Sequence, residues 1–180
     1  MPEDPRVRIR PYRVDDAPAL LEAAHESVPE VQPWMPWCHS ALSLEDTRAW
    51  LELQVPAFRN GETYEFAIVS GEGGYLGGCG VNQIDKDNRR ANLGYWVRSA
   101  ATRRGAATAA VGLIREWAFR HTDLVRLEIV IACGNAASHR VAEKAGAFRE
   151  GTLRRRLLLH GVHHDATIFS LVRGTTFQTF

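Results

Sequence analysis

Lysine is nearly missing from this chain of 180 residues: Lys86 and Lys144 are the only two, and arginine supplies almost all the positive charge. Cysteine is scarce as well. Cys38, Cys79 and Cys133 are odd in number, far apart and never in a C-x-x-C pair, which argues against a disulfide framework and against a zinc knuckle. No apolar run approaches the ~20 residues a membrane helix needs, and the charged, proline-containing N-terminus has no apolar leader core. A surplus of one charge sign is absent too. The formal net charge is +1, which leaves no broad electrostatic face for nucleic acid, although Arg103-Arg104 and Arg154-Arg155-Arg156 concentrate charge locally. Repeats, linkers and low-complexity stretches are also lacking. The expectation is one cytoplasmic domain over 1–180, with reduced thiols and no membrane contact. Two nucleotide fingerprints fail: no G-x-x-x-x-G-K-S/T occurs, and no G-x-G-x-x-G, even in the glycine cluster between Gly71 and Gly80. ATP and NAD therefore lose support.

What is present is an ordinary globular composition, 45% hydrophobic and 24% charged, long enough to bury a core. Val7 to Tyr12 alternates apolar residues with Arg8 and Arg10 and predicts a half-exposed strand. Asp16 is placed to cap a helix whose apolar residues Ala17, Leu20, Leu21 and Ala24 repeat at helical spacing. A segment rich in proline and tryptophan follows, Pro33-Trp34-Met35-Pro36-Trp37. Ser43 with Asp46 predicts a capping box for a second helix carrying Trp50, Leu51, Val55 and Phe58, stopped by Asn60-Gly61. Strand patterns follow at Tyr64 to Val69, Tyr75 to Val81 and Ala91 to Val97. A long helix opens near Gly105 with Ala110, Leu113, Ile114 and Trp117 on one face. Another strand runs through Val125, Leu127, Ile129 and Ile131, and a short helix runs from Asn135 to Lys144. Phe148 to Leu159 and Val162 to Val172 read as a hairpin folded on His160-Gly161. The order β-α-α-β-β-β-α-β-α-β-β predicts an α+β fold.

Chemistry concentrates in Leu93-Gly94-Tyr95-Trp96-Val97-Arg98 and the polar stretch up to Arg103-Arg104-Gly105-Ala106-Ala107-Thr108. A strand enters a short loop, and small residues open an amphipathic helix. The first-turn N–H groups of such a helix point outward, and its dipole places about half a positive charge there. That arrangement suits a phosphate anion. An ordinary Gly-Ala helix start with solvated arginines fits the same residues.

The segment Leu93 to Val97, followed by Thr102-Arg103-Arg104-Gly105-Ala106-Ala107, resembles the coenzyme A loop of GNAT N-acetyltransferases, written Q/R-x-x-G-x-G/A. Thr102 departs from its first position. Asn135-Ala136-Ala137-Ser138 and Glu143 to Gly151 resemble the family's second cofactor segment, and Gly161 to Leu171 its closing hairpin. With Arg8 to Tyr12 and Trp34 to Trp37 added, the similarity spans nearly the whole chain. It is greatest to the branch of ribosomal-protein serine and alanine N-terminal acetyltransferases.

The resemblance implies a GNAT fold: a mixed, mostly antiparallel twisted sheet of about six to seven strands with about four helices, split between two central strands to hold CoA. It implies acetyl-CoA as cosubstrate, no metal, and direct attack by a primary amine. Trp96, Val97 and Arg98 would pair with the pantetheine arm, with an N–H near Val97 polarising the thioester carbonyl. Arg103, Arg104, Gly105, Ala106, Ala107 and Thr108 would hold the diphosphate. Asn135 would bond the arm, and Ser138 would protonate the departing thiolate; helix capping is the other reading of both. Many family members carry Glu where Asn92 stands, and Leu157 occupies a second familiar carboxylate position. Asn92 could position a water but cannot accept a proton. Glu26 is a candidate base at the acceptor cleft, or else a solvated helix residue. Trp34, Met35 and Trp37 are candidate pocket walls.

An α-amine, with a pKa of about 7.7–8.0, is roughly one-tenth neutral at pH 7, so a weak base suits it far better than a lysine amine near 10.4. The expected acceptor is accordingly a protein or peptide N-terminus. A small amine (polyamine, amino acid or antibiotic) and a non-catalytic acyl-CoA-binding module are the alternatives. Relatives often pair as dimers. His160, His163, His164 and Asp165 look like metal ligands on paper, but neighbours on a tight turn diverge to opposite faces.

Overall fold

The computed structural model describes residues 7–174. The strands are β1 (Val7–Pro11), β2 (Tyr64–Ser70), β3 (Tyr75–Asp85), β4 (Arg90–Val97), β5 (Arg126–Ala132), β6 (Phe148–Leu159) and β7 (Val162–Val172). The helices are α1 (Ala17–Glu26), α2 (Val28–Val31), α3 (Leu44–Arg59), α4 (Ala106–His121) and α5 (Ala136–Lys144). All seven strands join one sheet in the order β1-β2-β3-β4-β5-β7-β6. Only β4 and β5 run parallel; the other neighbours are antiparallel. The mixed α+β sheet expected from the sequence is the one observed.

Period-two alternation decides which helices cover which face. Phe66 and Ile68 of β2, Val81 of β3 and Leu93 of β4 join Ala110, Val111 and Ile114 of α4 in the larger core. Ala67 and Val69 point the other way and join Leu20 of α1 and Leu51 of α3 in a second one. Because both faces are covered, β2 has four consecutive buried residues from Phe66 to Val69. Trp117 of α4 closes one end of the larger core against Phe66, with ring centroids 4.8 Å apart.

Local signals hold with two corrections. Ser43 Oγ accepts the Asp46 N–H at 3.0 Å and Asp46 Oδ2 accepts the Ser43 N–H at 3.1 Å, the expected capping box. The hairpin turn has φ of 50° at His160 and 78° at Gly161, the paired positive values of a type I′ turn. Asp16, by contrast, holds the N-cap position of α1 but its side chain caps no N–H of that helix. Its carboxylate accepts the Arg13 N–H at 2.8 Å and pairs with Arg10 at 2.6 Å, so it closes the turn before the helix. The described residues also form five α-helices, against the expected four or so. The extra one, α2, is a single turn with Pro29 near its start, too short to show a helical period.

Candidate active site

The parallel pairing of β4 with β5 covers only Arg90 to Asn92 against Arg126 to Glu128. Beyond Asn92 the two strands part. Arg98 donates its N–H to the Leu76 carbonyl at 2.8 Å, so Trp96, Gly94 and Asn92 also turn their main-chain groups toward β3. Tyr95 and Val97 turn theirs into the gap. The gap is bridged at one point, where the Tyr95 hydroxyl lies 2.8 Å from Ser138 Oγ of α5 and donates to the Ser138 carbonyl at 3.0 Å. Burial, opposed by the Ser138 hydrogen bond, pushes the Tyr95 phenol up to about 12, so it is a protonated donor at neutral pH.

The loop after β4 is braced from α1 and α2. The Arg98 guanidinium pairs with Glu26 and, at 3.1 Å, with Glu22. Glu26 Oε1 accepts the Ala100 N–H at 2.7 Å, and Ser27 Oγ accepts the Ser99 N–H at 3.0 Å. Thr102, where the motif expects a longer polar side chain, donates its hydroxyl to the Ser99 carbonyl at 2.8 Å and so tightens the turn. Arg103 (φ 61°) and Gly105 (φ 82°) are both left-handed, and α4 begins without a side-chain cap. Ala109 makes the first helical bond, to the Gly105 carbonyl. Among the described residues no close, well-aligned hydrogen bond is donated by the N–H groups of Arg103 to Thr108, which lie in the turn 102–105 and the first helical turn. Several amides, two exposed guanidinium groups and a 16-residue helix dipole therefore converge on one solvent-facing spot at the end of the gap. This is the chemistry that a diphosphate needs.

Asn135 caps α5: its Oδ1 accepts the Ser138 N–H at 3.1 Å. Its amide NH2 stays available at the mouth of the gap. Ser138 is tied to Tyr95, so the sequence-predicted Ser138 belongs to a two-hydroxyl pair.

On the other sheet face lies a cavity of about 420 Å³. Its floor includes Gly94, Tyr95 and Trp96, the stretch of β4 that also borders the gap. Met35 and Trp37 line it, and Trp37 stacks edge-on against Trp96 at 5.3 Å. Trp34 lies elsewhere, over Gly134 in the β5–α5 loop, where a Cβ on Gly134 would meet its ring at 3.3 Å. Glu26 is not a cavity residue either. Its hydrogen bonds to Arg98 and then to the Ala100 N–H hold its carboxyl below the usual range, the wrong direction for a base. Asn92 faces the cavity side of β4 and donates its amide to Asn82 Oδ1 at 2.9 Å.

Sequence reasoning missed Glu65, Tyr12 and Trp50. Glu65 lines the cavity and accepts from Asn82 Nδ2 at 3.1 Å. Burial, only partly offset by that bond, pushes its carboxyl above the usual range. Tyr12 packs edge-on against Trp50 at 5.3 Å and hydrogen-bonds Tyr75 at 2.7 Å. The missed signal was the glycine run Gly77, Gly78 and Gly80 inside a strand pattern, which marks close approach of other groups. A Cβ on Gly78 would stand 2.3 Å from the Tyr12 hydroxyl, and one on Gly80 would stand 1.9 Å from Glu65 Oε2. Among the described residues no cluster of His, Cys, Asp or Glu could hold a metal, and no helix is long and apolar enough to cross a membrane.

Comparison with known proteins gives the same picture. The model of the acetyltransferase (GNAT) domain family matches residues 6–147. The chain is 29% identical to YdaF of Bacillus subtilis, provisionally named a ribosomal N-acetyltransferase, over 93% of this chain and 91% of that protein. It is 27% identical to the ribosomal-protein-serine acetyltransferase of Escherichia coli over 79% of each. The solved structure of Mycobacterium smegmatis RimJ in complex with CoA-disulfide superposes with a TM-score of 0.84 at 25% identity, covering 93% of this chain and 82% of that one. A family match over most of the chain, on a sheet that parts where the family motif lies, makes this protein a member of the GNAT acetyltransferases, an acetyl-CoA-dependent N-acyltransferase.

Proposed function

We propose that this enzyme acetylates the α-amine of a protein N-terminus by direct attack within a ternary complex. The observation that carries the reading is that one stretch of β4, Gly94 to Trp96, floors the acceptor cavity and borders the gap. Two reactants entering from opposite faces would meet there, which converts a bimolecular encounter into a positioned one.

The residues present fit acetyl-CoA. The free amides of Arg103 to Thr108, with the Arg103 and Arg104 side chains, would hold the diphosphate. The outward main-chain groups of Tyr95 and Val97, flanked by Trp96 and Arg98, would take the pantetheine arm as an added strand, with Asn135 Nδ2 as a further donor. Acetyl-CoA supplies the activated acyl group. The Val97 N–H would polarise its carbonyl, and the Ser138–Tyr95 hydroxyl pair would protonate the sulfur. The two relatives named as ribosomal or ribosomal-protein acetyltransferases support ribosomal protein as the acceptor class. With a pKa of about 7.7–8.0 against about 10.4, an α-amine is easier to deprotonate than a lysine side chain, which favours it as acceptor.

Incubation with acetyl-CoA and a peptide library, read by mass spectrometry, tests the acceptor. Acetylated N-termini are expected, and faster acetylation of lysine side chains would sink this choice. Replacing Arg103 and Arg104 together by Ala is expected to weaken acetyl-CoA binding several-fold to about tenfold by calorimetry, at about 0.2–1 kcal/mol for each exposed ion pair lost. A second reading, a small-molecule amine acceptor, is favoured by the cavity volume of about 420 Å³ and its aromatic walls, typical of small-ligand sites. Turnover of free amines with no acetylated peptide would select it. Binding without thiol release against any amine would select a non-catalytic acyl-CoA module.

A further inference from the structure

We propose that Glu65 is the proton acceptor for the attacking amine, an inference that rests on the acyl-transfer reading above. Both carboxylate positions familiar from the family are vacant of acid here, as Asn92 and Leu157. The cavity nevertheless holds an unpaired acid from a different strand. Glu65 is opposite Gly80, which is opposite Gly94, so the three form one row across the cavity face of the sheet. With no side chain at Gly80 or Gly94, nothing separates the Glu65 carboxylate from β4 along that row. The 1.9 Å distance to a would-be Gly80 Cβ places Oε2 directly over the bare strand.

The carboxylate is aimed rather than neutralised. Asn92 donates to Asn82, and Asn82 donates to Glu65 Oε1, so two amides fix one oxygen. Oε2 has no protein donor among the described residues and lies on the cavity wall. The other ionisable groups around it do not supply a counter-charge. Asp46 of α3 is a second carboxylate on the same wall, and Arg59 lines a separate cavity on the far side of Glu65. The Tyr12 hydroxyl is engaged by Tyr75, the Tyr95 hydroxyl by Ser138, and the Cys79 thiol is buried. A partly buried acid with one free oxygen, walled by aromatic rings and lacking a cation, is complementary to an ammonium. Its upward-shifted titration brings it closer to the amine it must deprotonate.

The step balances as follows. Glu65 Oε2 takes one proton from the ammonium, breaking an N–H bond and forming an O–H bond. The freed lone pair forms the C–N bond at the thioester carbon, and the C–S bond breaks with its electron pair going to sulfur. The Tyr95–Ser138 pair gives the sulfur a proton and regains one from the nitrogen as the amide forms. Glu65 returns its proton to solvent through the cavity mouth. Asn92 is a positioning residue, acting on the carboxylate through Asn82.

Glu65→Gln keeps the acceptor oxygen for Asn82 and removes only the base. It is expected to lower kcat/KM by about 10²–10⁴-fold, with acetyl-CoA affinity by calorimetry unchanged. The acid limb of the kcat/KM profile, set in the wild type by ionisation of Glu65, should move up to the amine's own pKa of about 7.7–8.0. Glu65→Asp should recover part of the rate and retain an acid limb. A Glu65→Gln enzyme with wild-type kcat/KM, or one whose acid limb stays at its wild-type position, overturns the assignment. Wild-type protein that binds acetyl-CoA yet turns over no amine overturns the acyl-transfer reading, and this one with it.

Discussion

A methyl group on Gly80 would stand 1.9 Å from Glu65 Oε2, and the atom forced to move is the end of a flexible side chain rather than backbone. Gly80→Ala is therefore expected to lower kcat/KM at least tenfold while the thermal midpoint changes little; enzyme assay and calorimetric melting check both halves. Glu65 itself should cost the fold something at neutral pH. Its carboxyl titrates higher in the folded protein than in the unfolded chain, so the folded state favours the protonated form. Its relative contribution is greatest below the unfolded value and is lost as pH rises through the folded one. Glu65→Gln should thus melt no lower than wild type at pH 7, and a lower melting point would mean that the carboxylate is structural. At this scale the sequence was a partial guide. Glu65 is the one charged residue in the strand pattern Tyr64 to Val69, but the register that sets it opposite a glycine is a long-range fact. Glu26 misled for the same reason, because the arginine that claims its carboxylate lies 72 positions downstream.

Among the elements, β4 and α4 were readable because their signals are local: alternation, a polar loop, then small residues opening an amphipathic helix. What could not be read was the brace beneath the loop, in which Glu26, Ser27 and Glu30 hold Arg98, Ser99 and Ala100. That brace fixes the turn on which the exposed amides depend. Glu26→Ala should release the Ala100 N–H and the Arg98 side chain together, raising KM for acetyl-CoA several-fold more than it lowers kcat. An unchanged KM would show that the loop keeps its shape without the brace. Trp34 was expected beside Met35 and Trp37 but lies over Gly134, a loop far downstream that no local pattern brings near it.

Across the whole molecule, the sheet type was legible from element order, and the parting of its central strands came with the family motif. The ionic ties along β5, β6 and β7 were not. Arg126 of β5 reaches Glu128 on its own strand at 2.8 Å and Glu150 of β6, across the intervening β7. The Arg126 hydrogen bond holds the Glu150 carboxyl down at about 2, against 4.5 for a free glutamate. Its stabilisation is present above about 4.5 and is lost as pH falls toward 2. Glu150 is 31% exposed, so Glu150→Gln should cost under about 1 kcal/mol at pH 7, with the difference from wild type closing over that acid window in urea titrations. The strand order carries one more consequence, for biosynthesis. β7 pairs with β5 over the whole of that strand, from Arg126 to Ala132, yet is translated after β6. Until Val162 to Val172 have been made, the half of the molecule bearing Ser138 keeps an open edge where its main sheet partner belongs. The half carrying Ser138 therefore closes its sheet only when β7 emerges, well after the amide-lined turn has been translated.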